Sequence, residues 1–187
     1  LVNIHLKVRG TTRVISALTG ADGKFSTTFR PLLGEAGNYT VGAAHPGQPD
    51  APVQDSFRLL GMTFDPRTAD LRFSATSNFN FTATLQNRSQ SPLTGLKAVL
   101  DPPLPAAVTA TLLYPTTLPA DGSILVRVRL ESLLDDGLAA STTLRLTSAE
   151  GARAEVALNI QVDPLAPQFT TDPGTLRSGM VRSNQTL

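Results

Sequence analysis

Residues 2–9 read VNIHLKVR, and apolar and polar side chains alternate along the whole stretch. A period of two places the apolar side chains on one face of a β-strand and the polar ones, His5 among them, on the opposite face. The same alternation of apolar residues recurs in three later runs, at 79–85, 124–130 and 156–162. Turn-forming Gly, Pro, Asn and Asp separate these runs, and helical spacing is hard to find. The pattern predicts an all-β fold built from antiparallel sandwiches.

The composition excludes several classes of function. The chain has 187 residues, of which 41% are hydrophobic, so it has room for one or two domains with apolar cores. Its 16 Lys and Arg residues balance 15 Asp and Glu residues, which leaves no charged field to attract nucleic acid. The absence of Cys excludes disulfide scaffolds and thiol catalysis. No apolar run approaches the roughly 20 residues needed to span a bilayer, so we expect no membrane insertion in this segment.

Turn signals define a first unit at residues 1–60. Strands are predicted in it at 2–8, 13–19, 24–30, 39–43 and 53–60. The second and third of these flank Ala21-Asp22-Gly23, a strong hairpin signal. Phe25 and Phe29 would then share the inner face. The Pro-rich segment 45–52 cannot hold a strand ladder, because proline lacks a backbone donor.

A second unit is predicted at residues 61–163. It contains eight runs with strand character, at 62–65, 70–75, 79–87, 94–101, 107–114, 123–131, 142–148 and 153–162. This number of strands in roughly 100 residues is typical of an immunoglobulin-like (Ig-like) sandwich. The segment Asp163-Pro164-Leu165-Ala166-Pro167 follows, and its two prolines favour a short, stiff linker.

The C-terminal segment, residues 164–187, carries signs of a further repeat. Residues 169–173, FTTDP, resemble residues 62–66, MTFDP. Residues 183–187, SNQTL, resemble residues 77–81, SNFNF, at nearly the same offset. The segment is therefore predicted to hold a linker and the start of a third similar unit. Because residue 1 also falls inside an alternating strand, we expect both ends to be cuts through a longer tandem array.

Patterns of strand and turn in both units are shared with known modules. In the first unit they are the strand at 13–15, the ADGKF turn at 21–25 and the AGNYTV strand at 36–41. This unit resembles bacterial Ig-like and carboxypeptidase-regulatory-like surface modules, and the resemblance implies that it lacks its first strands. On patterns at 79–87, 118–130 and 144–151, the second unit is similar to Ig-like modules of large secreted bacterial proteins. Such modules serve as spacers, adhesin stalks, filament subunits and accessory domains of enzymes.

No constellation of residues points to catalysis. His5 lies on the polar face of a strand and His45 in a Pro-rich loop, so both are expected in solvent. No Ser has a His–Asp context that would activate it, and nothing places a pair of carboxylates across a cleft. No cofactor is predicted, although calcium at the joints between units, with Asp65 or Asp163 among its ligands, remains an alternative. The sequence predicts a protein that is not an enzyme.

Four Asn-x-Ser/Thr triplets are candidate N-glycosylation sites, with their acceptors at Asn38, Asn80, Asn87 and Asn184. Asn87, in a predicted turn, is expected to be the most accessible, and strand alternation points Asn80 outward. The alternative is that Asn and Thr are simply common in turns and on polar strand faces, and that the triplets carry no sugar.

These observations favour a non-catalytic, extracellular structural module, part of a tandem Ig-like stalk, sheath or filament at the cell surface. Its expected partners are neighbouring Ig-like domains of the same chain and identical copies in a filament or sheath. Short Pro-containing joints would limit bending between units. The alternative is an accessory or ligand-binding, adhesin-type module of a secreted multidomain enzyme or adhesin. That alternative would be favoured by Phe57, Phe64 or Tyr114 grouped in an exposed patch.

Overall fold

The computed structural model describes residues 1–32, 34–133 and 135–165 of the chain. Within these ranges there are twelve β-strands and no helix, which confirms the all-β prediction. The strands are β1 (Val2–Val8), β2 (Thr11–Ala17), β3 (Gly37–Ala44), β4 (Asp55–Leu59), β5 (Met62–Asp65), β6 (Thr68–Ser74), β7 (Asn78–Asn87), β8 (Lys97–Asp101), β9 (Val108–Leu113), β10 (Ser123–Ser132), β11 (Leu138–Thr147) and β12 (Arg153–Asp163).

Strands β5 to β12 form a two-layer sandwich. The front sheet has the strand order β5-β7-β10-β9, and the back sheet has the order β6-β12-β11-β8. Every second side chain of β12 is buried, and inward residues such as Val128 and Val156 are 0% exposed. The apolar alternation in the sequence is preserved because each sheet covers the inner face of the other. The eight strands predicted for residues 61–163 are all present, with ends displaced by only a few residues.

One strand pair departs from the antiparallel prediction. The chain passes from the front sheet to the back sheet between β5 and β6, and β6 then pairs in parallel with β12, Leu71 opposite Ile160. The other strand pairs of the described residues are antiparallel. No hairpin links β6 to β12, so chain connectivity does not fix their relative direction.

Strands β1 to β4 form a separate sheet, here called the N-terminal sheet, with the order β2-β1-β3-β4. A two-residue hairpin, Arg9-Gly10, joins β1 to β2, and Arg9 has a φ of 48°. Positive φ in a two-residue turn is typical of hairpins whose turn matches the right-handed twist of the strands. The side chain of Arg9 is therefore presented at the tip of this sheet.

The prediction of a strand at 24–30 is wrong. A tight turn does form at Asp22-Gly23, where the Gly23 N–H donates to the Gly20 carbonyl over 3.0 Å, but residues 24–30 join no sheet. The segment 18–32 instead crosses one face of the N-terminal sheet, where the Phe29 ring lies 5.4 Å from the Tyr39 ring. Phe25 is 43% exposed rather than inward-facing. A segment that lies across a sheet face cannot hydrogen-bond to the sheet's edge.

A second loop covers the opposite face of the N-terminal sheet. The Pro-rich loop 45–54 crosses Gly42 so closely that an added Cβ would lie 2.1 Å from the Pro52 carbonyl oxygen. His5 pairs with Gly42 across the strands and is only 4% exposed. The expectation that His5 lies in solvent is therefore wrong, because a loop covers the polar face that alternation assigned to water.

Leu60 and Gly61 alone separate β4 from β5, and they join the N-terminal sheet to the sandwich. This joint contains no proline, contrary to the expected Pro-containing linker. Residues 166–187, which include the end of the linker predicted at 163–167 and the proposed third repeat, lie outside the described residues. In the described ranges we find no helix with the length and apolar character that crossing a membrane requires.

Candidate functional site

The tip of the β1–β2 hairpin meets the loops of the sandwich in a cleft of about 710 Å³. One side of the cleft is formed by this hairpin and by the loop before β3, and the other by the loops after β7 and before β10. Charged side chains of both signs line it, namely Arg9, Glu35, Arg88 and Asp121. The cleft therefore lies at the joint between the two β-regions.

Arg9 bridges the two sides of this cleft. Its Nε donates to the Ala36 carbonyl at 3.3 Å, and its Nη2 donates to the Arg88 carbonyl at 2.8 Å. The same guanidinium forms an ion pair with the Asp121 carboxylate. Because a guanidinium is planar and its donors form a rigid fork, it holds these three acceptors in a fixed arrangement. Arg9 thus clamps the N-terminal sheet to two loops of the sandwich.

A second contact crosses the joint beside Arg9. The backbone N–H of Asn38 donates to Gln90 Oε1 over 2.9 Å. Gly37, which precedes it, has a φ of 148°, and an added Cβ would lie 2.7 Å from Val8 Cγ2. Only glycine allows β3 to begin this close to β1 and to the sandwich loop.

Asn87 organises the sandwich side of the joint. It is 3% exposed, and its Nδ2 donates to the carbonyls of Ser91 at 2.8 Å and Pro119 at 2.9 Å. Its Oδ1 accepts from the backbone N–H of Ser89 at 2.8 Å. The expectation that Asn87 is the most accessible glycosylation acceptor is therefore wrong, because the amide nitrogen that would carry the sugar is buried and holds two loops together.

Glu35 supplies negative charge on the N-terminal side of the cleft. Its carboxylate accepts from the Leu32 N–H at 2.5 Å and from Arg13 Nη1 at 3.4 Å. The adjacent Tyr39 hydroxyl, followed by the Leu32 N–H, lowers the pKa of Glu35, so this carboxylate is ionised at neutral pH. The Tyr39 hydroxyl is close to Glu35 but makes no hydrogen bond of good geometry among the described residues. Burial is the main cause of the raised pKa of Tyr39.

Two of the remaining three glycosylation candidates lie in the described residues. Asn38 and Asn80 are exposed, and Asn80 points outward from β7, where alternation placed it. Asn184 lies outside the described residues. Attachment of sugar at Asn38 or Asn80 stays a prediction.

The two carboxylates considered as calcium ligands, Asp65 and Asp163, lie in different surroundings. Asp163 accepts from Arg72 Nε at 2.7 Å, and Asp65 is exposed at the end of β5. In the part of the chain that the structure describes, no three His, Asp or Glu side chains come together in a group that would hold a metal ion. At the joint itself, the Asp121 carboxylate is paired with Arg9.

The three aromatic residues that would mark an exposed binding patch are not grouped on the surface. Phe64 is 3% exposed, and the Tyr114 hydroxyl accepts from the Ala98 N–H over 3.0 Å in the sandwich. Phe57 stacks on Tyr39 at 4.8 Å in the N-terminal sheet. The cleft is instead the polar concave surface at which a ligand would meet both β-regions.

Arg9, the central residue of this site, was not among the residues predicted from the sequence. A signal was available, because Arg9-Gly10 stands between two alternating runs and so predicts a tight hairpin with Arg9 at its tip. No local pattern predicts that this tip reaches Asp121, which is 112 residues away in sequence.

No family model matches the chain, and no curated protein matches it either. Among solved structures it is similar to the secreted serine protease VesC from Vibrio cholerae, at 15% identity and a TM-score of 0.39, over 54% of this chain and 23% of that one. It is also similar to PapD-like domain 7 of human CEP192, at 8% identity and a TM-score of 0.39, over 57% and 87% of the two chains.

A further similarity is to the BIgI domain of beta protein from S. agalactiae bound to CEACAM1, at 17% identity and a TM-score of 0.34, over 58% of this chain and 100% of that one. This chain spans less than a quarter of the length of VesC. Similarities of this size carry no argument about function, and the description of the chain as a β-sandwich module rests on its own strand order.

Proposed function

We propose that this chain is a non-catalytic, extracellular structural module of a large cell-surface protein, a segment of a stalk, sheath or filament. Its role is to hold successive β-domains at a fixed distance and angle. The observation that carries the proposal is the Arg9 clamp across the short joint at Leu60-Gly61. A flexible tether needs no such contacts, whereas a stalk needs joints that resist bending.

The outer surface of the sandwich fits the same role. On β12 the outward side chains Arg153, Glu155, Asn159 and Gln161 are exposed. Polar and charged outer faces keep a repeated array in solution and discourage sheet-to-sheet contact. Stiffness then comes from the joint, and solubility from the strand faces.

Distances between two spin labels test whether the joint is fixed. The chain contains no Cys, so Ser56→Cys in β4 and Ala139→Cys in β11 introduce two unique and exposed labelling positions, one in each β-region. In an otherwise unchanged chain we expect one narrow distribution of distances by double electron–electron resonance. Arg9→Ala removes the clamp, and the distribution should broaden.

Arg127→Ala is the matched control, since Arg127 is exposed on the outer face of β10, away from the joint. It should leave the distribution narrow. A distribution that is as broad with Arg9 present as with Arg9→Ala would show that the clamp does not fix the joint, and the proposal would fail. Labelling of intact source cells with antibodies against this segment tests its location at the surface.

One observation favours a second function, that of an adhesin-type or accessory module that binds a ligand. The cleft is large enough for a small polar ligand, and both Arg88 and Glu35 line it. Glycan and peptide arrays probed with the wild-type chain and with Arg88→Ala test this alternative. Binding that is lost in Arg88→Ala would favour the ligand-binding function over the structural one.

A further inference from the structure

Six strands form the edges of the three described sheets: β2, β4, β5, β6, β8 and β9. Five of them contain a charged residue, which is a common protection of an exposed edge against pairing with another chain. These residues are Arg13 in β2, Arg58 in β4, Asp65 in β5, Arg72 in β6 and Lys97 in β8. The sixth edge, β9, reads VTATLL and contains neither a charge nor a proline.

The two sides of β9 differ in what they present. Its inward residues, such as Val108 at 4% exposure, pack on the core of the sandwich. Its outward residues Thr109, Thr111 and Leu113 are exposed. In the described chain β9 pairs with β10 only, so alternate backbone N–H and C=O groups point away from the sheet along its other side.

An apolar patch adjoins the end of this edge. Leu113 is 56% exposed, and Leu125, on the outer face of the neighbouring strand β10, is 51% exposed. Pro115, Tyr114 and Ile124 complete the shallow surface depression around them, and the exposed Arg127, opposite Leu113, lies at its rim. The edge therefore offers both unpaired backbone groups and apolar side chains to a second strand.

We propose that β9 pairs antiparallel with β9 of a second copy of this chain, across a two-fold axis. The two front sheets would then form one continuous sheet. The argument for a second copy is one of charge, because a two-fold axis places each residue opposite the same set of residues. An edge with charge of one sign, such as β2 with Arg13 or β5 with Asp65, is liable to repel its own copy, whereas β9 carries no charge and brings no like charges together on a two-fold axis.

The pairing register follows from the faces of the strand. Opposed residues in an antiparallel ladder point to the same face, so outward residues must meet outward residues. All three outward residues do so when Thr111 lies on the two-fold axis and Thr109 lies opposite Leu113 of the second copy. Thr111 then lies directly opposite Thr111 of the second copy, and the other outward residues lie further from their counterparts.

Sedimentation equilibrium over a range of protein concentrations tests this pairing. For the wild-type chain, the average mass should rise from 19.8 kDa towards that of a dimer as the concentration increases. Thr111→Lys places two like charges opposite each other and should raise the concentration at the midpoint of association by at least about tenfold. Because Thr111 is exposed, this variant should fold as the wild type does.

The matched control is Thr82→Lys, which adds the same charge at an exposed position of β7, an inner strand of the front sheet, and lies opposite Arg127 just as Thr111 lies opposite Arg129. It should associate as the wild type does. A mixture of Thr111→Lys and Thr111→Glu chains should recover association, since opposite charges then meet at the axis. A mixture that stays monomeric while the wild type associates would overturn the proposed register.

A wild-type chain that stays monomeric at all concentrations would overturn the proposal itself. It would leave an extended segment of another protein as the remaining occupant of the edge. The inference does not rest on the stiffness of the joint. Arg9→Ala should associate as the wild type does, so the outcome at β9 and the outcome at the joint are separable.

Discussion

The sandwich and the N-terminal sheet cover their apolar faces in different ways. In the sandwich, each sheet covers the other, and inward residues such as Leu130 and Leu144 are 0% exposed. The described residues give the N-terminal sheet no second sheet, and the loops 18–32 and 45–54 cover it instead. A sheet covered by a sheet keeps the inside–outside alternation of its sequence, whereas a sheet covered by loops buries residues of both faces.

The largest expected effect is in the sandwich core. Leu144→Ala should lower the free energy of unfolding by about 2–5 kcal/mol, because it removes buried methyl groups and leaves a cavity that two packed sheets cannot close. The chain has two Tyr and no Trp, with Tyr114 in the sandwich and Tyr39 in the N-terminal sheet. Urea unfolding followed by tyrosine fluorescence in a Tyr39→Phe background reports the sandwich alone.

Val99→Ala is the control for that substitution, since Val99 is 51% exposed in β8 of the same sheet. It should change the free energy of unfolding by less than about 0.5 kcal/mol. The Tyr39 signal, measured in a Tyr114→Phe background, should shift less than the Tyr114 signal. Equal shifts of both signals would show that the two regions unfold as one unit. The difference between the sandwich and the N-terminal sheet would then have no effect on stability.

The next largest effect concerns the loop that replaces a second sheet. Gly42→Ala should lower the stability of the N-terminal sheet by about 1–3 kcal/mol, because the new Cβ would meet the Pro52 carbonyl and displace the Pro-rich loop. The Tyr39 signal is the readout. Ser56→Ala, at an exposed position on the same sheet, should have little effect. An unchanged midpoint for Gly42→Ala would mean that the loop does not press on the sheet.

The same difference explains what could be predicted from the sequence. The eight strands of the sandwich were predictable because alternation and turn residues agree and each sheet face meets one partner. The prediction of a strand at 24–30 was wrong because these residues belong to a loop that crosses one face of the N-terminal sheet. Their alternating pattern therefore does not reflect strand pairing. Asn87 was misplaced because its turn is folded inward by two carbonyls that lie elsewhere in the loops. Contacts between distant segments, such as Arg9 with Asp121, leave no local pattern.

His5 is where the loop cover leaves polar atoms without partners. Both ring nitrogens are buried and make no hydrogen bond within the described residues. His5→Leu should raise the free energy of unfolding by about 1 kcal/mol, since a buried group without a partner costs stability. Thermal unfolding measures the change. His45→Leu is the control at an exposed position and should change little. A loss of stability in His5→Leu would show that the ring has a partner beneath the loop.

The smallest expected effect concerns two carboxylates. Each forms hydrogen bonds that hold a loop, one in the sandwich and one in the N-terminal region. In the sandwich, hydrogen bonds from the Thr94 hydroxyl, at 2.6 Å, and from its N–H lower the pKa of Glu150 from 4.5 to about 2. In the N-terminal region, Lys7, at 2.5 Å, and the Ala51 N–H lower the pKa of Asp50 below its ordinary value of 3.8. Both carboxylates therefore stabilise the folded state above the unfolded-state pKa and lose that contribution as the pH falls.

Glu150→Gln should accordingly lower stability at neutral pH, and its difference from the wild type should shrink between about pH 4.5 and pH 2. Asp50→Asn should behave in the same way from just below pH 4, but in the Tyr39 signal rather than the Tyr114 signal. Urea unfolding at a series of pH values measures both. If the Glu150 difference stays constant down to pH 2, the Thr94 hydrogen bonds are not what holds that loop. If Asp50→Asn moves the Tyr114 signal instead, the loop over β1 supports the sandwich, and the two regions are not covered separately.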